Sequence, residues 1–373
     1  MSKMKVLHLL DSVNRGGAET IALDVCRNAG KYGIDLTVAV SGSGTLEDDF
    51  RRSGADFIRL KRKLPVDPFL VLKLRRIIKK RRIGIVQGYQ AVEALHLYLA
   101  TIGLPVKRVF SLQGFIPGRK NRLAARFLIP RMDANIAVSR GLEKWLKEEF
   151  DLRETENFRL IYNCTDPQRL KPGGRSVKAE LGLGENARLI GMVANFTPDQ
   201  TKDQLTVCRA APEVLAHFEE AHFVFAGRIA EGGGEAKIGE CREFCVREGI
   251  AGRVHFLGAR DDVPDILASL DVFVFSSLYE GLPIAVTEAM LAGVPLVLSD
   301  IEPLLEVSDG GNCAEIFPVK NAGALSGKII KLLEDEDLRK DLAARAHRFA
   351  AENFSIEAHI RKLKKLYRTL LEN

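Results

Sequence analysis

The chain predicts two doubly wound α/β domains in tandem, each built on a mostly parallel sheet. Three observations carry that class. Short apolar runs alternate with amphipathic stretches of helical length from the start onward. A loop-like stretch from Asn163-Cys164-Thr165-Asp166-Pro167 through Lys171-Pro172-Gly173-Gly174-Arg175 interrupts the alternation, which then restarts. The length of 373 residues exceeds that of an ordinary single domain.

In order, residues 6–10 are an apolar first strand and residues 19–29 an amphipathic helix. Residues 36–40, 57–60, 85–87, 109–112 and 134–138 continue the strand series. Helices are expected near 70–80, 91–101 and 142–150, where apolar residues recur at helical spacing. After the interruption, residues 189–194, 223–226, 254–256, 272–275 and 296–298 read as strands. Helices are expected near 203–217, 235–248, 263–269, 287–291 and 325–333, and the end of the chain, 349–371, reads as one helix. The expected division is 1–170, 171–350 and a terminal helix in 351–373. In open α/β sheets of this kind, ligands bind beyond the carboxyl ends of the strands.

Apolar residues make up 46% of the chain and charged residues 28%, with a formal charge of +6, the balance of an ordinary globular protein. The start, Met-Ser-Lys-Met-Lys-Val-Leu-His-Leu-Leu-Asp, is too short an apolar run for a signal peptide, and no other segment is apolar for long enough to span a bilayer. The six cysteines (Cys26, Cys164, Cys208, Cys241, Cys245, Cys313) are scattered. Cys241 and Cys245 lie one helical turn apart, but no second Cys or His pair completes a metal-binding set. All six are expected to be reduced thiols of a cytoplasmic protein.

One segment carries most of the functional information. The apolar run Val272-Phe273-Val274-Phe275 leads into Ser276-Ser277-Leu278-Tyr279-Glu280-Gly281-Leu282-Pro283 and then a helix bearing Glu288. Gly281 permits close approach of a backbone, and Pro283 suits a first helical turn. The N–H groups that open such a helix suit an anion. Two carboxylates beside an anion site fit a ligand rich in hydroxyls and phosphates, such as a nucleotide sugar. Strand–turn–helix units with a Gly-Leu-Pro turn also occur in α/β proteins without such a site, so the wording of the segment matters. Glu280 and Glu288, with seven residues between them and Ala289-Met290-Leu291-Ala292-Gly293-Val294-Pro295 behind, resemble the E-x7-E signature of retaining glycosyltransferases of the GT-B fold, family 4 (glycosyl transferases group 1). The resemblance runs over nearly the whole chain and is strongest from Gly191 to Pro295. It implies two Rossmann-like domains facing a central cleft, the terminal helix crossing back to the first.

The same resemblance implies roles for individual residues. Glu288 would accept hydrogen bonds from the donor's ribose hydroxyls and Glu280 from hydroxyls of the donor sugar. The N–H groups of Gly281, Leu282 and Ile284 would lie near sugar and phosphate. Lys202, in Val193-Ala194-Asn195-Phe196-Thr197-Pro198-Asp199-Gln200-Thr201-Lys202-Asp203, matches the lysine that meets the leaving diphosphate, where a fixed cation stabilises developing charge. An arginine is usual in that loop where Asn195 stands, and Arg228 is a weak replacement for it. Gly16 and Gly17, in Asn14-Arg15-Gly16-Gly17-Ala18-Glu19, match a glycine pair that lets the backbone approach phosphate or acceptor. The dinucleotide fingerprint G-x-G-x-x-G is absent there. Arg260, in Gly258-Ala259-Arg260-Asp261-Asp262-Val263, falls in the loop that frames the base, mainly through backbone groups. Ser139 matches a further position near the cleft, on the acceptor or sugar side. Gln113 stands where many relatives carry a histidine. Glutamine hydrogen-bonds but takes no proton at neutral pH, and in a retaining mechanism the donor's phosphate can accept the acceptor's proton.

The implied activity is transfer of a sugar from a UDP- or GDP-linked donor to a hydroxyl acceptor, a glycolipid or polysaccharide intermediate. No metal or other cofactor is expected, since no histidine cluster or Asp-x-Asp pair is present and Asp261-Asp262 reads as a helix-start pair. A catalytically degenerate homologue that binds nucleotide sugar or a partner without turnover is the alternative that Asn195 and Gln113 keep open; an epimerase of the same fold is a third reading. Two basic stretches, one from Arg59 to Arg82 and one from Lys107 to Arg131, read either as solvated helix faces or as a surface for anionic lipid beneath a membrane-anchored acceptor. Nucleic acid is not the expected partner, because aromatics are not interleaved with the charges.

Overall fold

The alternating pattern folds into two parallel sheets in a computed structural model that describes residues 3–14, 16–114, 116, 118–152, 155–199 and 201–372. Arg15 of the glycine turn and Gln200 of the Lys202 loop therefore lie outside the described residues. The chain divides into two units: Met1–Thr165 with Phe354–Asn373, and Asp166–Asn353.

The first unit holds β1 (Met4–Leu10), β2 (Ile34–Val40), β3 (Asp56–Arg59), β4 (Ile85–Gly88), β5 (Lys107–Leu112), β6 (Ala134–Ala137) and β7 (Phe158–Leu160). They form one sheet in the order β3-β2-β1-β4-β5-β6-β7, and every neighbouring pair is parallel. Strands covered on both faces must be apolar along their length, and Val6 to Leu10 is buried throughout. The helix Pro68–Arg81 shows how the covering layer is built. Asp67 caps it by accepting from the N–H groups of Phe69 and Leu70, with Pro68 in the first turn. Leu70, Leu74 and Ile78, four residues apart, then pack with Leu7, Leu9, Val86 and Leu97.

The second unit holds β8 (Arg188–Val193), β9 (Ala221–Ala226), β10 (Val254–Gly258), β11 (Val272–Phe275), β12 (Leu296–Ser299) and β13 (Glu315–Phe317). Their order is β10-β9-β8-β11-β12-β13, again parallel throughout. Each sheet therefore reverses its direction of winding once, between β1 and β4 in the first and between β8 and β11 in the second.

The edge strands β7 and β13 escape the sequence reading. Each has three residues and a central or leading charged or polar position (Arg159, Glu315), so neither makes an apolar run. The first unit ends at Thr165 rather than at 170, because the turn Pro167–Leu170 packs on the helices Ile284–Leu291 and Val263–Ser269 of the second unit. The expected single terminal helix is two, Glu336–Asn353 and Ile356–Glu372. The break comes where the chain re-enters the first unit. Thr165 N–H donates to Phe354 O at 2.9 Å and Ile356 N–H to Thr165 O at 3.0 Å, while Ser355 Oγ accepts from Ala358 N–H at 3.2 Å and caps the new helix.

That last helix is anchored by a buried chain of hydrogen bonds. Tyr367 O–H donates to Gln87 Oε1 at 2.6 Å, so its oxygen accepts from His8 Nε2–H at 2.9 Å. His8 Nδ1 must then accept from Tyr89 O–H, at 3.2 Å. Burial holds His8 neutral, its pKa lowered to about 3. Replacing Tyr367 by Phe orphans His8 Nε2–H and Gln87 Oε1 together. The expected cost is about 1–3 kcal/mol for each group, read as an earlier urea transition of the first unit and faster proteolysis within 356–372.

Candidate active site in the second unit

The site residues of the second unit gather at the reversal of its sheet. The Lys202 loop leaves the carboxyl end of β8 and the Glu280 turn leaves that of β11, and these strands are direct neighbours. Ligands of doubly wound sheets bind at such a reversal. After β11 the chain stays buried through Ser276 and Ser277. Ser277 N–H donates to Ser299 Oγ at 3.0 Å, and Ser299 Oγ–H donates to Ser277 O at 2.8 Å, so the turn is riveted to β12. The Lys202 loop is then paired to the turn: Lys202 bridges Ser277 in antiparallel fashion, Leu278 N–H donates to Thr201 O at 2.8 Å, and Asp203 N–H donates to Ser276 O at 3.0 Å. Gly227 lets the neighbouring loop after β9 come equally close, since a Cβ there would stand 2.0 Å from Ala194 O.

This pairing brings Lys202 Nζ against Glu280 Oε1, although 78 residues separate them in sequence. The same oxygen accepts from Ser277 Oγ–H at 2.7 Å, and Nζ lies 4.9 Å from the centre of the Phe275 ring. Burial, opposed by Asp199 and helped by Lys237, brings the Lys202 ammonium down to about 7. The Glu280 carboxylate also opposes burial, because an adjacent negative charge favours the protonated amine.

Glu288 sits in the helix Ile284–Leu291 and is buried. Its Oε1 accepts from Arg169 Nη2 at 2.8 Å, a cation that sequence reasoning missed. Oε2 makes no hydrogen bond among the described residues. The N–H groups of Gly281, Leu282, Ile284 and Ala285 likewise have no acceptor among the described residues. Four donors with positive partial charge thus follow Glu280 directly. Among the described residues, no group of three or more His, Cys, Asp and Glu is placed to hold a metal ion.

Comparison with known proteins identifies the family. The sequence profile described as "Glycosyl transferases group 1" matches residues 175–349, and that described as "Glycosyltransferase Family 4" matches residues 15–169. The chain is a group 1 glycosyltransferase of the GT-B fold. N-acetyl-alpha-D-glucosaminyl L-malate synthase of Bacillus anthracis is 25% identical to it over 327 residues, covering 83% of this chain and 81% of its own. UDP-Gal:alpha-D-GlcNAc-diphosphoundecaprenol alpha-1,3-galactosyltransferase of Escherichia coli is 22% identical over 100% of this chain and 98% of its own. The crystal structure of HepE from Anabaena in complex with UDP and glucose has the same fold, with a TM-score of 0.83 at 19% identity over 98% of this chain and 100% of its own.

Other positions of the glycosyltransferase are engaged in ways the sequence did not suggest. Arg260 is forked between two carboxylates, Glu180 at 2.6 and 2.8 Å and Asp262 at 2.7 and 2.7 Å. Both carboxylates raise its pKa above the usual arginine range, so its side chain is a strut between them. Asn195 Oδ1 accepts from Arg228 N–H at 2.9 Å and ties the ends of β8 and β9 together. The exposed Arg228 guanidinium forms no ion pair among the described residues.

In the first unit, Gly16 caps the helix Gly17–Asn28 at φ −148°, an extended conformation open to other residues. A Cβ there would meet only the movable Glu19 Oε2, at 2.6 Å. Ser139 is fully buried, and its Oγ accepts from Leu142 N–H at 3.1 Å, which makes it the cap of the helix Arg140–Glu149. Gln113 Nε2 donates to Ser111 Oγ at 2.8 Å, and its buried Oε1 has no partner among the described residues. Gly16 and Gly17 follow β1, beside the reversal of that sheet. All six cysteines are buried thiols.

The Arg169–Glu288 pair gives a direct check. Arg169→Met should lower stability of the second unit by about 1–3 kcal/mol, because a charged hydrogen bond is lost and a buried carboxylate is left uncompensated. Adding Glu288→Gln should recover part of that loss, measured by urea unfolding of both variants.

Proposed function

We propose that this glycosyltransferase takes a nucleoside diphosphate sugar, UDP-linked in the first instance, and transfers the sugar to a hydroxyl of a glycolipid or polysaccharide intermediate with retention at the anomeric carbon. The observation that carries the reading is the contact of Lys202 with Glu280 at the β8/β11 reversal, directly before the unpaired N–H groups of residues 281–285. The Escherichia coli relative, a UDP-Gal transferase named for a diphosphoundecaprenol acceptor, supports the donor and acceptor classes.

On donor binding, the Lys202 ammonium exchanges Glu280 for a phosphate oxygen, which also holds it protonated. Glu280, still braced by Ser277, turns its acceptor oxygens to the sugar hydroxyls. Glu288 Oε2 offers an acceptor to the ribose, with Oε1 kept by Arg169. The bond from the anomeric carbon to the diphosphate oxygen breaks, and its electron pair moves to the diphosphate, whose growing charge Lys202 and the helix N–H groups stabilise. The acceptor oxygen bonds to the anomeric carbon on the same face, and its proton passes to the departing phosphate oxygen. No protein base is needed, which suits glutamine at position 113. This scheme assigns the diphosphate charge to protein groups without a metal or other cofactor, so transfer should persist in EDTA.

The test is donor turnover across UDP-, GDP- and ADP-sugars. Lys202→Met should reduce turnover roughly 10²–10³-fold, and Glu280→Gln should reduce turnover with little change in nucleotide affinity. Binding without turnover in every case would favour the degenerate reading, and absence of binding to the whole panel would sink the proposal.

We propose further that the first unit meets an anionic membrane surface. Among the described residues no helix is long and apolar enough to cross a membrane. Part of the first basic stretch is already engaged: Arg62 pairs with Asp11 and Glu93, and Arg81 with Asp56. Lys61, Lys63, Lys73, Arg76, Lys79 and Lys80 form no such pairs among the described residues. Beside them stand Leu64, Val66, Phe69 and Leu72, exposed at 53%, 45%, 72% and 52%. Exposed apolar side chains among lysines fit a lipid interface better than a solvated face. Co-sedimentation with phosphatidylglycerol vesicles should fall several-fold when Phe69 and Leu72 are both changed to Ser; sedimentation indifferent to these changes and to salt would refute the surface.

A further inference from the structure

Lys237 lies in the first turn of the helix Gly234–Arg247, a charged stretch that no motif distinguishes. Its ammonium donates to Asp199 O at 3.1 Å and to the main-chain carbonyl of Lys202 itself, across 38 and 35 residues of sequence. The loop that carries Lys202 is therefore held from two sides. On one side are its pairing with Ser277 and the bond that Leu278 N–H makes to Thr201 O, at 2.8 Å. On the other side is Lys237. Within the loop, Asp199 Oδ1 accepts from the hydroxyls of Thr197 and Thr201 at 2.6 and 2.7 Å, which shapes the turn but ties it to no other element.

We propose that Lys237 is a positioning residue for the transfer reaction: it clamps the main chain at Asp199 and Lys202 so that the Lys202 ammonium is presented to the leaving diphosphate. The proposal rests on the diphosphate role of Lys202 given above. A clamp is needed here because the hydrogen bonds from the end of β9 reach only the start of the loop, at Asn195 and Phe196, and not the stretch at Asp199 and Lys202. Asn195 Oδ1 accepts from Arg228 N–H at 2.9 Å and Asn195 O from Gln204 Nε2 at 3.1 Å, while Phe196 N–H donates to Arg228 O at 2.9 Å and Ala230 N–H to Phe196 O at 2.8 Å; the Arg228 side chain stays outside. A cation is also the effective donor for two carbonyls at once, since charge-assisted hydrogen bonds are the stronger ones.

The clamp has an electrostatic signature. Lys237 is faced by Asp199, Asp203, Glu240 and Cys241, and Lys202 by Asp199, Lys237 and Glu280. The Lys237 charge repels the proton on Lys202, so removing that charge raises the pKa of Lys202. A residue that merely filled space would leave it unmoved.

Wild type, Lys237→Met and Lys237→Arg are compared by two readouts. One is steady-state transfer from the preferred UDP-sugar. The other, which needs no donor, is the pH dependence of Lys202 acetylation by acetic anhydride, followed by peptide mass spectrometry. Lys237→Met should lower kcat roughly tenfold or more, with a smaller change in KM, and should move the labelling midpoint of Lys202 to higher pH. Lys237→Arg should stay near wild type in both. An unmoved midpoint, with or without lost turnover, overturns the clamp. A moved midpoint in a protein that turns over no nucleotide sugar supports the clamp and sinks the donor reading instead.

Discussion

The reversal of each parallel sheet is the constraint on which the other features depend. In a doubly wound sheet the connections leaving the two strands at the reversal go to opposite faces, so the carboxyl ends of those strands stay uncovered. In the second unit these strands are β8 and β11. The loop of Lys202 and the turn of Glu280 are the two connections that leave them, which places the two side by side. Antiparallel pairing of Lys202 with Ser277 then converts proximity into fixed geometry.

The pair of Lys202 and Glu280 is a poor device for stability alone. Withdrawing two charges from water costs more than their attraction returns in many proteins, and burial here is severe enough to lower the lysine markedly. Such a pair makes sense where a third group takes over one of the charges. A diphosphate does so for the lysine, and sugar hydroxyls do so for the carboxylate, already braced by Ser277. The contrast with Arg260 is informative. That guanidinium spreads four hydrogen bonds over Glu180 and Asp262, so displacing it would break several contacts for each one gained. It braces the loop after β10 rather than opening toward a ligand.

The first unit applies the same economy of polar groups to structure. Gln87, His8 and Tyr367 come from β4, β1 and the last helix, and each satisfies the next with one tautomer. The helix that ends the chain is thereby bound to the strands flanking the reversal of the first sheet, and a buried polar chain of this kind tolerates no substitution that leaves one member unmatched. Ser139, fully buried at a helix cap, shows how a residue that matches a site by wording can be engaged in local structure.

Much of this was legible in the sequence, for local reasons. Apolar runs and helical periodicity belong to contiguous residues, so eleven of the strands and the tandem α/β class could be read directly; β7 and β13 could not, being three residues long and carrying charge. Glu280, Gly281, Pro283 and Glu288 form one continuous segment, so their chemistry was visible before any fold. What tertiary structure alone decided were the partners. Arg169 reaches Glu288 across 119 residues, Lys237 reaches the Lys202 main chain across 35, and Tyr367 reaches His8 across 359. A hydrogen bond between distant segments imposes no period and no spacing on the chain, and so it leaves no mark until the sheet brings its two ends together.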